Sequence, residues 1–487
     1  MKTKKLKIKN KLCTPVMTFQ QCELAILRNA VDEIGLKEQI ELVNSEEVKN
    51  IILVVEEFLV KEKLICYGGT AINNLLPDQD KFYDKEVEIP DYDFYSYDAM
   101  KHAKKLADIY HKKGFTDIEA KAGVHFGTYK VFVNFIPVAD ITQIPEELFK
   151  SINKEAVTVA GIRYCPPNFL RMAMYLELSR PRGDVSRWEK VLKRLILLNK
   201  HYPLMGDNCK LEDIQRELNV DLDIITENEE ETIYNTLLNS FIDQGLVFFG
   251  SMANSMYMKY YDSGYEYKRI PDFDVLSENP ELSATIIKEL LEEEGLKKVK
   301  IRKQEGVGEI IAPHWEIIVK GETLAFIYKP IACHSYNVIK LNNKKVHIAT
   351  IDTMLSFYLA FLYADRSYYD KNRIVCMAEY LFKVQEKNRL SQRAILKRFS
   401  MDCIGKQPNI FDIRIEKSNK FKELRFKRGT KEYDRWFLKY NPDDKEIYKE
   451  VKKRKTEKNR NTGKSKTRKT FKTLKTKNLF DLIKNKI

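Results

Sequence analysis

From about Thr18 to Val60 apolar and polar residues mix at helical spacing, with no Gly or Pro between Gly35 and Gly68, which predicts a helical lead-in. The texture then changes. Leu64 to Tyr67 reads as a short buried strand, Gly68 and Gly69 as a turn, and the following residues as a helix that opens near Thr70 and stops at Pro77. The stretch EIPDYDFYSYD (88–98) reads as a second strand. The apolar series from Tyr129 to Ile141 reads as a third, buried strand, and 166–202 as a long amphipathic helical region punctuated by Pro181 and Gly183.

The same pattern then returns. Adding 181 to Gly69, Thr70, Asn73, Ile89, Pro90, Asp91 and Asp93 lands on Gly250, Ser251, Asn254, Ile270, Pro271, Asp272 and Asp274 without a gap. Seven coincidences at one offset point to an internal duplication. Through Pro137 and Pro330 the third strand aligns with YKPIAC, a shift of 193 that puts Cys333 where the first copy has Asp140. The predicted fold class is therefore α/β (α+β): two tandem units, the second degenerate, with a helical N-terminal lead-in and a disordered basic C-terminal tail.

The expected boundaries are a basic arm and lead-in over 1–62, a first α/β unit over 63–202 and a linker or helical connection over 203–245. The degenerate second unit covers 246–390, its extension 391–448 and the basic tail 449–487. At 487 residues the chain exceeds one ordinary core, and its hydrophobic fraction of 44% excludes wholesale disorder. No apolar run is long enough to cross a bilayer, since Glu56 and Glu57 interrupt Ile51 to Val60. The first eleven residues carry six lysines with no apolar signal core behind them, so an intracellular, soluble protein without membrane attachment is expected. Eight scattered cysteines with no CxxC pair are expected as reduced thiols, and zinc is not expected.

Charge changes the picture of the two ends. Of the net +14, residues 449–487 hold +13 and residues 1–11 hold +6, which leaves the body mildly acidic at −5. The C-terminal tail is too poor in apolar residues to order itself. It suits sequence-independent contact with RNA or DNA phosphates, while a plain solubility or targeting tail explains it too.

The candidate chemistry sits in the first unit. Asp91 and Asp93 lie two apart on a predicted strand, so alternation puts both carboxylates on one face and Tyr92 and Phe94 on the other. Hard cations such as Mg²⁺ or Mn²⁺ prefer such oxygens, and Asp140 on the next predicted strand supplies the third carboxylate that a two-ion site needs. Gly68, Gly69 and Thr70 ahead of a helix offer bare amides, a hydroxyl and the positive end of the helix dipole, a cradle for a triphosphate. A lone DxD or a lone diglycine turn is common; their occurrence together in strand–GG–helix–strand–DxD–strand–Asp order is far more specific.

That order, over Leu64 to Asp140, resembles the DNA polymerase beta superfamily of nucleotidyltransferases. More narrowly, GGTAIN, PDYDFYS, VADIT and a degenerate second copy are similar to the poly(A) polymerase catalytic subunit of poxviruses and giant DNA viruses. The resemblance implies that Asp91, Asp93 and Asp140 ligate Mg²⁺ or Mn²⁺ (two ions) and that Gly68, Gly69 and Thr70 hold the phosphates of ATP. It also implies that basic residues after the third Asp meet triphosphate or RNA; Arg180, Arg187 and Lys190 fall there, although a solvated helix face explains them equally well. The implied activity is template-independent polynucleotide adenylyl transfer to an RNA 3′ end. Another nucleotidyl transfer (uridylyl, CCA-adding, small-molecule adenylyl) and a non-catalytic RNA-binding protein on the same scaffold stay open. A homodimer and the need for a processivity subunit are left open too. If the chain is viral, the host cytoplasm, a viral factory or the virion is its expected place.

Overall fold

The computed structural model describes residues 11–14, 16–84, 87–216, 227–341 and 343–444. The expected basic arm (1–10) and the whole of the basic tail (449–487) lie outside the described residues.

The lead-in is two helices, α1 (Phe19–Val43) and α2 (Glu46–Glu62). Ser45 caps α2 by accepting from the Val48 amide, and Glu46 and Glu47 face its positive end. Its apolar stripe Val48, Ile51, Val55, Phe58 and Leu59 is buried, whereas of α1 only Val43 is. The first unit follows as β1 (Ile65–Cys66), α3 (Gly68–Leu75), β2 (Tyr92–Ser96), α4 (Ala99–Lys112), β3 (Glu119–Ala122), β4 (Thr128–Val133), β5 (Ile136–Gln143), α5 (Glu146–Lys154), β6 (Val157–Val159), β7 (Ile162–Tyr164), α6 (Pro167–Leu178) and α7 (Trp188–His201).

The segment 129–141, expected as one strand, is a hairpin. Asn134 and Phe135 both take positive φ (49° and 65°) and turn the chain between β4 and β5. Neither residue is Gly, so the apolar run carries no sequence mark of the turn.

The connection expected over 203–245 holds a 3₁₀ turn (Leu211–Ile214) and α8 (Glu227–Asp243). The second unit runs β8 (Val247–Phe248), α9 (Ser251–Met258), β9 (Phe273–Leu276), α10 (Pro280–Glu293), β10 (Val299–Gln304), β11 (His314–Val319), β12 (Glu322–Tyr328), β13 (His334–Leu341), β14 (Lys344–Ala349), α11 (Ile351–Phe361) and α12 (Lys371–Lys387). The chain closes with β15 (Cys403–Ile404), α13 (Ile410–Leu424), α14 (Lys431–Phe437) and β16 (Lys439–Tyr440).

The duplication is visible in the sheets. The first has order β16-β3-β4-β5-β2-β1-β7-β6 and the second β10-β11-β12-β9-β8-β14-β13-β15. Without β16 and β15 the two orders are the same, strand for strand. The fold is thus α/β with two tandem units, as the sequence predicts. The units are joined directly: the Ser335 amide donates to the Ser179 carbonyl at 2.8 Å, and Phe169 meets Tyr363 edge-on with centroids 5.1 Å apart.

Two further expectations change. Stretch 391–448 does not simply extend the second unit: β15 pairs with β13 there, but β16 crosses back and becomes the edge strand of the first sheet beside β3. Of the eight cysteines expected as thiols, six are paired, Cys13–Cys22, Cys209–Cys376 and Cys333–Cys403, with Cα atoms 5.1 to 5.4 Å apart. Only Cys66 and Cys165 are free, and both are buried. Partners 70 and 167 residues apart in sequence are brought together by the fold, which spacing alone does not reveal.

The returning strand is anchored by Leu438, which is buried and whose carbonyl accepts from the Ala122 amide at 3.0 Å. Leu438→Ala is expected to cost about 2 to 4 kcal/mol by lost burial and cavity formation, read as a lower urea midpoint together with faster proteolysis around β16.

Candidate active site

Parallel pairing of β2 with β5 sets Asp93 directly beside Asp140, and antiparallel pairing of β5 with β4 sets Lys130 beside Asp140 on its other flank. Paired residues share a face, so Asp93, Asp140 and Lys130 form one row across three strands. The neighbours in sequence point the other way, as the alternation predicts: Tyr92, Phe94, Ala139, Ile141, Tyr129 and Val131 are all buried. On that side the Tyr92 hydroxyl donates to Glu56 of α2.

Asp91 stands one turn of the pleat before Asp93, exposed at the mouth of the site. Its carbonyl accepts the Thr70 hydroxyl at 2.6 Å. The same bond recurs in the second unit, Ser251 to the Asp272 carbonyl at 2.7 Å, so this hydroxyl is committed to joining helix and strand. Thr70 therefore positions Asp91 through its own side chain.

The diglycine turn lies over Asp93. A Cβ on Gly68, which has φ +73°, would stand 2.8 Å from Asp93 Oδ2. One on Gly69 would meet the Tyr83 hydroxyl at 2.4 Å and the Arg194 guanidinium at 2.9 Å. Only glycines leave the amides of this turn open beside the carboxylates.

Arg194 was missed in the sequence. It lies over the Phe82 ring (4.7 Å to the centroid) and donates to the Tyr83 hydroxyl at 2.6 Å, while the Asn73 carboxamide oxygen pins 82–83 by accepting from both backbone amides. Its sequence signal is the recurrence of Arg187, Lys190 and Arg194 at helical spacing of three, four and seven. Of the predicted basic residues, Arg187 is close enough to Asp93 to attract its charge and bonds Glu177 at 3.3 Å. Lys190 stands exposed on the first turn of α7. Arg180 is drawn into the junction of the units, facing Glu309 and Glu177, where its Nε has no partner.

Burial, then Asp91 and Asp140, push the Asp93 carboxyl up to about 7, against relief from Lys130 and Arg187. Asp91 is also raised, by partial desolvation and then by Asp140. Asp91 and Asp93, raised by burial and by neighbouring negative charge, leave the site in need of a cation. Lys130 supplies one by bonding Asp140. Among the described residues no three acidic, His or Cys side chains are drawn together into a ready-made ion cage. The donor set nevertheless suits a hard divalent cation: all-oxygen, from adjacent strands, with more negative charge than one ammonium offsets. A cavity of about 680 Å³ between α2 and α3 is lined by Glu56, Thr70, Asn73, Tyr83, Asp91 and Tyr92, so that of the three aspartates Asp91 alone reaches it.

The second unit answers the same electrostatic demand differently. Asp272 has Arg216 at 3.5 Å and Arg373 at 3.9 Å, and a Cβ on Gly250 would be 2.2 Å from Asp274 Oδ2. Its turn is one residue shorter: Tyr67 and Phe249 both donate to the second Asp carbonyl, but Thr70 matches Ser251. The register also corrects the alignment. Phe326, not Cys333, pairs with Asp274 where Asp140 pairs with Asp93, and Cys333 is disulfide-bonded beyond the strand. The prolines are not equivalent: Pro137 stands at the start of β5, whereas Pro330 follows the end of β12. The missing third carboxylate itself stands as read.

Residues 53–184 match the family described as the poly(A) polymerase catalytic subunit. That segment contains Gly68, Gly69, Thr70, all three aspartates and Arg180. A protein of African swine fever virus (strain Badajoz 1971 Vero-adapted), assigned as a poly(A) polymerase catalytic subunit, is 34% identical over 167 residues, 33% of this chain and 35% of the relative. One of Acanthamoeba polyphaga mimivirus, with the same assignment, is 31% identical over 170 residues, 34% of this chain and 29% of the relative. The chain thus spans about a third of the length of the curated relatives it matches. In fold it is similar to the crystal structure of the Megavirus polyadenylate synthase, with a TM-score of 0.72 and 18% identity over 90% of this chain and 89% of that one.

The raised Asp93 has a thermodynamic consequence. Between about pH 4 and about 7 the folded chain holds a proton there that the unfolded chain has released, so stability falls as pH rises through that window. Without divalent cations, Asp93→Asn should melt a few degrees above wild type at pH 8 and lose this advantage at pH 4, as measured by thermal scanning fluorimetry.

Proposed function

We propose that this chain is a template-independent polynucleotide adenylyltransferase that extends RNA 3′ ends from ATP. The observation that carries the reading is the adjacency of Asp93 and Asp140 in the sheet, with Asp91 beside them and the bare Gly68–Gly69 turn above. The match over 53–184 supports it, because that segment includes every one of these residues. The choice of adenylate and of RNA rests on the relatives.

In this reading the RNA 3′ hydroxyl attacks the α-phosphorus of ATP, forming a phosphodiester as the α–β anhydride breaks and pyrophosphate leaves. Asp91, Asp93 and Asp140 would hold Mg²⁺ or Mn²⁺, which would supply Lewis acidity and charge neutralisation there. The amides of the diglycine turn and the start of α3 hold the phosphates. Arg194, fixed over Gly69 by Phe82 and Tyr83, adds a permanent positive charge that stays in place through the reaction. Thr70 keeps Asp91 in position through its carbonyl, and Lys130 orients Asp140. The second unit, with arginines on Asp272 and Phe326 in the row, acts as a scaffold.

The test is extension of labelled RNA with each nucleoside triphosphate in turn. ATP should give a ladder of long products, Asp140→Asn should cut it at least roughly 100-fold, and Asp274→Asn should leave it intact. A one-nucleotide product, or a ladder undiminished in Asp140→Asn, would sink the reading.

A further inference from the structure

The row that begins at the aspartates does not end at Lys130. Antiparallel pairing of β3 with β4 sets Lys121 beside Lys130, and pairing of β16 with β3 sets Lys439 beside Lys121. One line across five strands therefore reads Asp93, Asp140, Lys130, Lys121, Lys439, with neighbours about 4.8 Å apart. All lie on the face of the candidate site, since Ala120, Val131 and Ala139, one position along the same strands, are buried.

Three like charges side by side destabilise a sheet. Lys130 is offset by Asp140 and Lys121 by Glu119 at 2.9 Å, while Lys439 is exposed. The fold does not require this strip. The matching row of the second unit is Asp274, Phe326, Glu316 and Arg302, where Glu316 is buried and Arg302 bonds it, so the charges cancel. The strip also runs into a basic and aromatic border. Residues 410–440 hold ten Lys and Arg against five Asp and Glu. Phe426 is 85% exposed under the Arg425 guanidinium, and Phe126, 55% exposed at the end of the β3–β4 hairpin, meets Trp436 with centroids 4.3 Å apart.

We infer that Lys130, Lys121 and Lys439 are a track for the phosphodiester backbone of a single-stranded polynucleotide whose 3′ end lies at Asp140, with exposed rings of the 409–440 segment stacking its bases. The inference rests on the proposed nucleotidyl transfer for its direction. A negative backbone is repelled at the acidic end unless cations are bound there and held along the lysines, so the strip sets where the strand leaves the site. Aromatic faces accept any base, which suits a strand read without sequence.

The test is the binding of fluorescein-labelled oligo(A) RNA to the full chain over a range of salt. Each backbone contact in a single strand contributes about 0.7 to the slope of log K against log salt, so Lys121→Gln with Lys439→Gln should flatten it by about 1.4. The same pair changed to Arg should restore the slope. Protection of Lys121 and Lys439 in the wild-type chain from an acetylating reagent by the same RNA gives a reading that needs no variant. An unchanged slope in the Gln pair, or no protection, overturns the track. Extension from ATP, measured in parallel, separates the two ideas: extension with a slope insensitive to the Gln pair refutes the track alone. A sensitive slope without incorporation of any nucleotide refutes the proposed activity and leaves the track standing.

Discussion

Two carboxylates held side by side on a pair of parallel strands are an electrostatic liability, and much of the first unit is arranged around it. The β2–β5 pairing that makes Asp93 and Asp140 neighbours is backbone hydrogen bonding with a buried underside, so the side chains cannot drift apart. Like charges at that distance hold protons or gather cations. The chain gathers Lys130 directly and Arg187 more distantly, and the Asp93 carboxyl still sits near neutrality. Its remaining demand for positive charge is what gives the site affinity for hard cations and, through them, for phosphates.

The duplicated unit shows that the liability is chosen. The same strand order is built a second time around Asp272 and Asp274, and there Arg216 and Arg373 face Asp272, although burial and Asp272 still push the Asp274 carboxyl up to about 7. A phenylalanine takes the third acid's place in the register, and the turn above is shortened until the remaining glycine presses on Asp274. Fold and chemistry are therefore separable here: identical topology carries three carboxylates beside an open glycine turn in one unit, and two carboxylates faced by arginines with a phenylalanine in the third position in the other. The second unit's contribution is packing, delivered through the α6–α11 contact and the Ser335–Ser179 hydrogen bond at the junction.

The return of the chain end to the first sheet links these observations. With β16 at the edge beside β3, the C-terminal helices stand next to the basic end of the same row that carries the acids. Lys417 of α13 donates to the Gly123 carbonyl at 2.7 Å, and Lys104 of α4 bonds Asp434 at 2.9 Å, so the segment is held at several points. An edge strand that would otherwise expose its backbone is thereby covered, and the face it extends changes sign along its length.

Much of this was legible in residues that act locally. The period-two run IPDYDF set Asp91 and Asp93 on one face, the glycines marked the turn, and seven matches at offset 181 disclosed the duplication, because strand alternation, glycine backbone freedom and repetition are all written in short stretches. What only the tertiary structure decided depends on which strands become neighbours. The β4–β5 hairpin hid in an apolar run whose turn residues are not glycine, Phe326 rather than Cys333 stood at the vanished carboxylate, and two cysteine pairs, Cys209–Cys376 and Cys333–Cys403, closed across the fold. Arg194 over Gly69, and the line from Asp93 to Lys439, join residues from distant parts of the chain. Sequence spacing carries no information about pairing register, and in a sheet the register sets which charges meet.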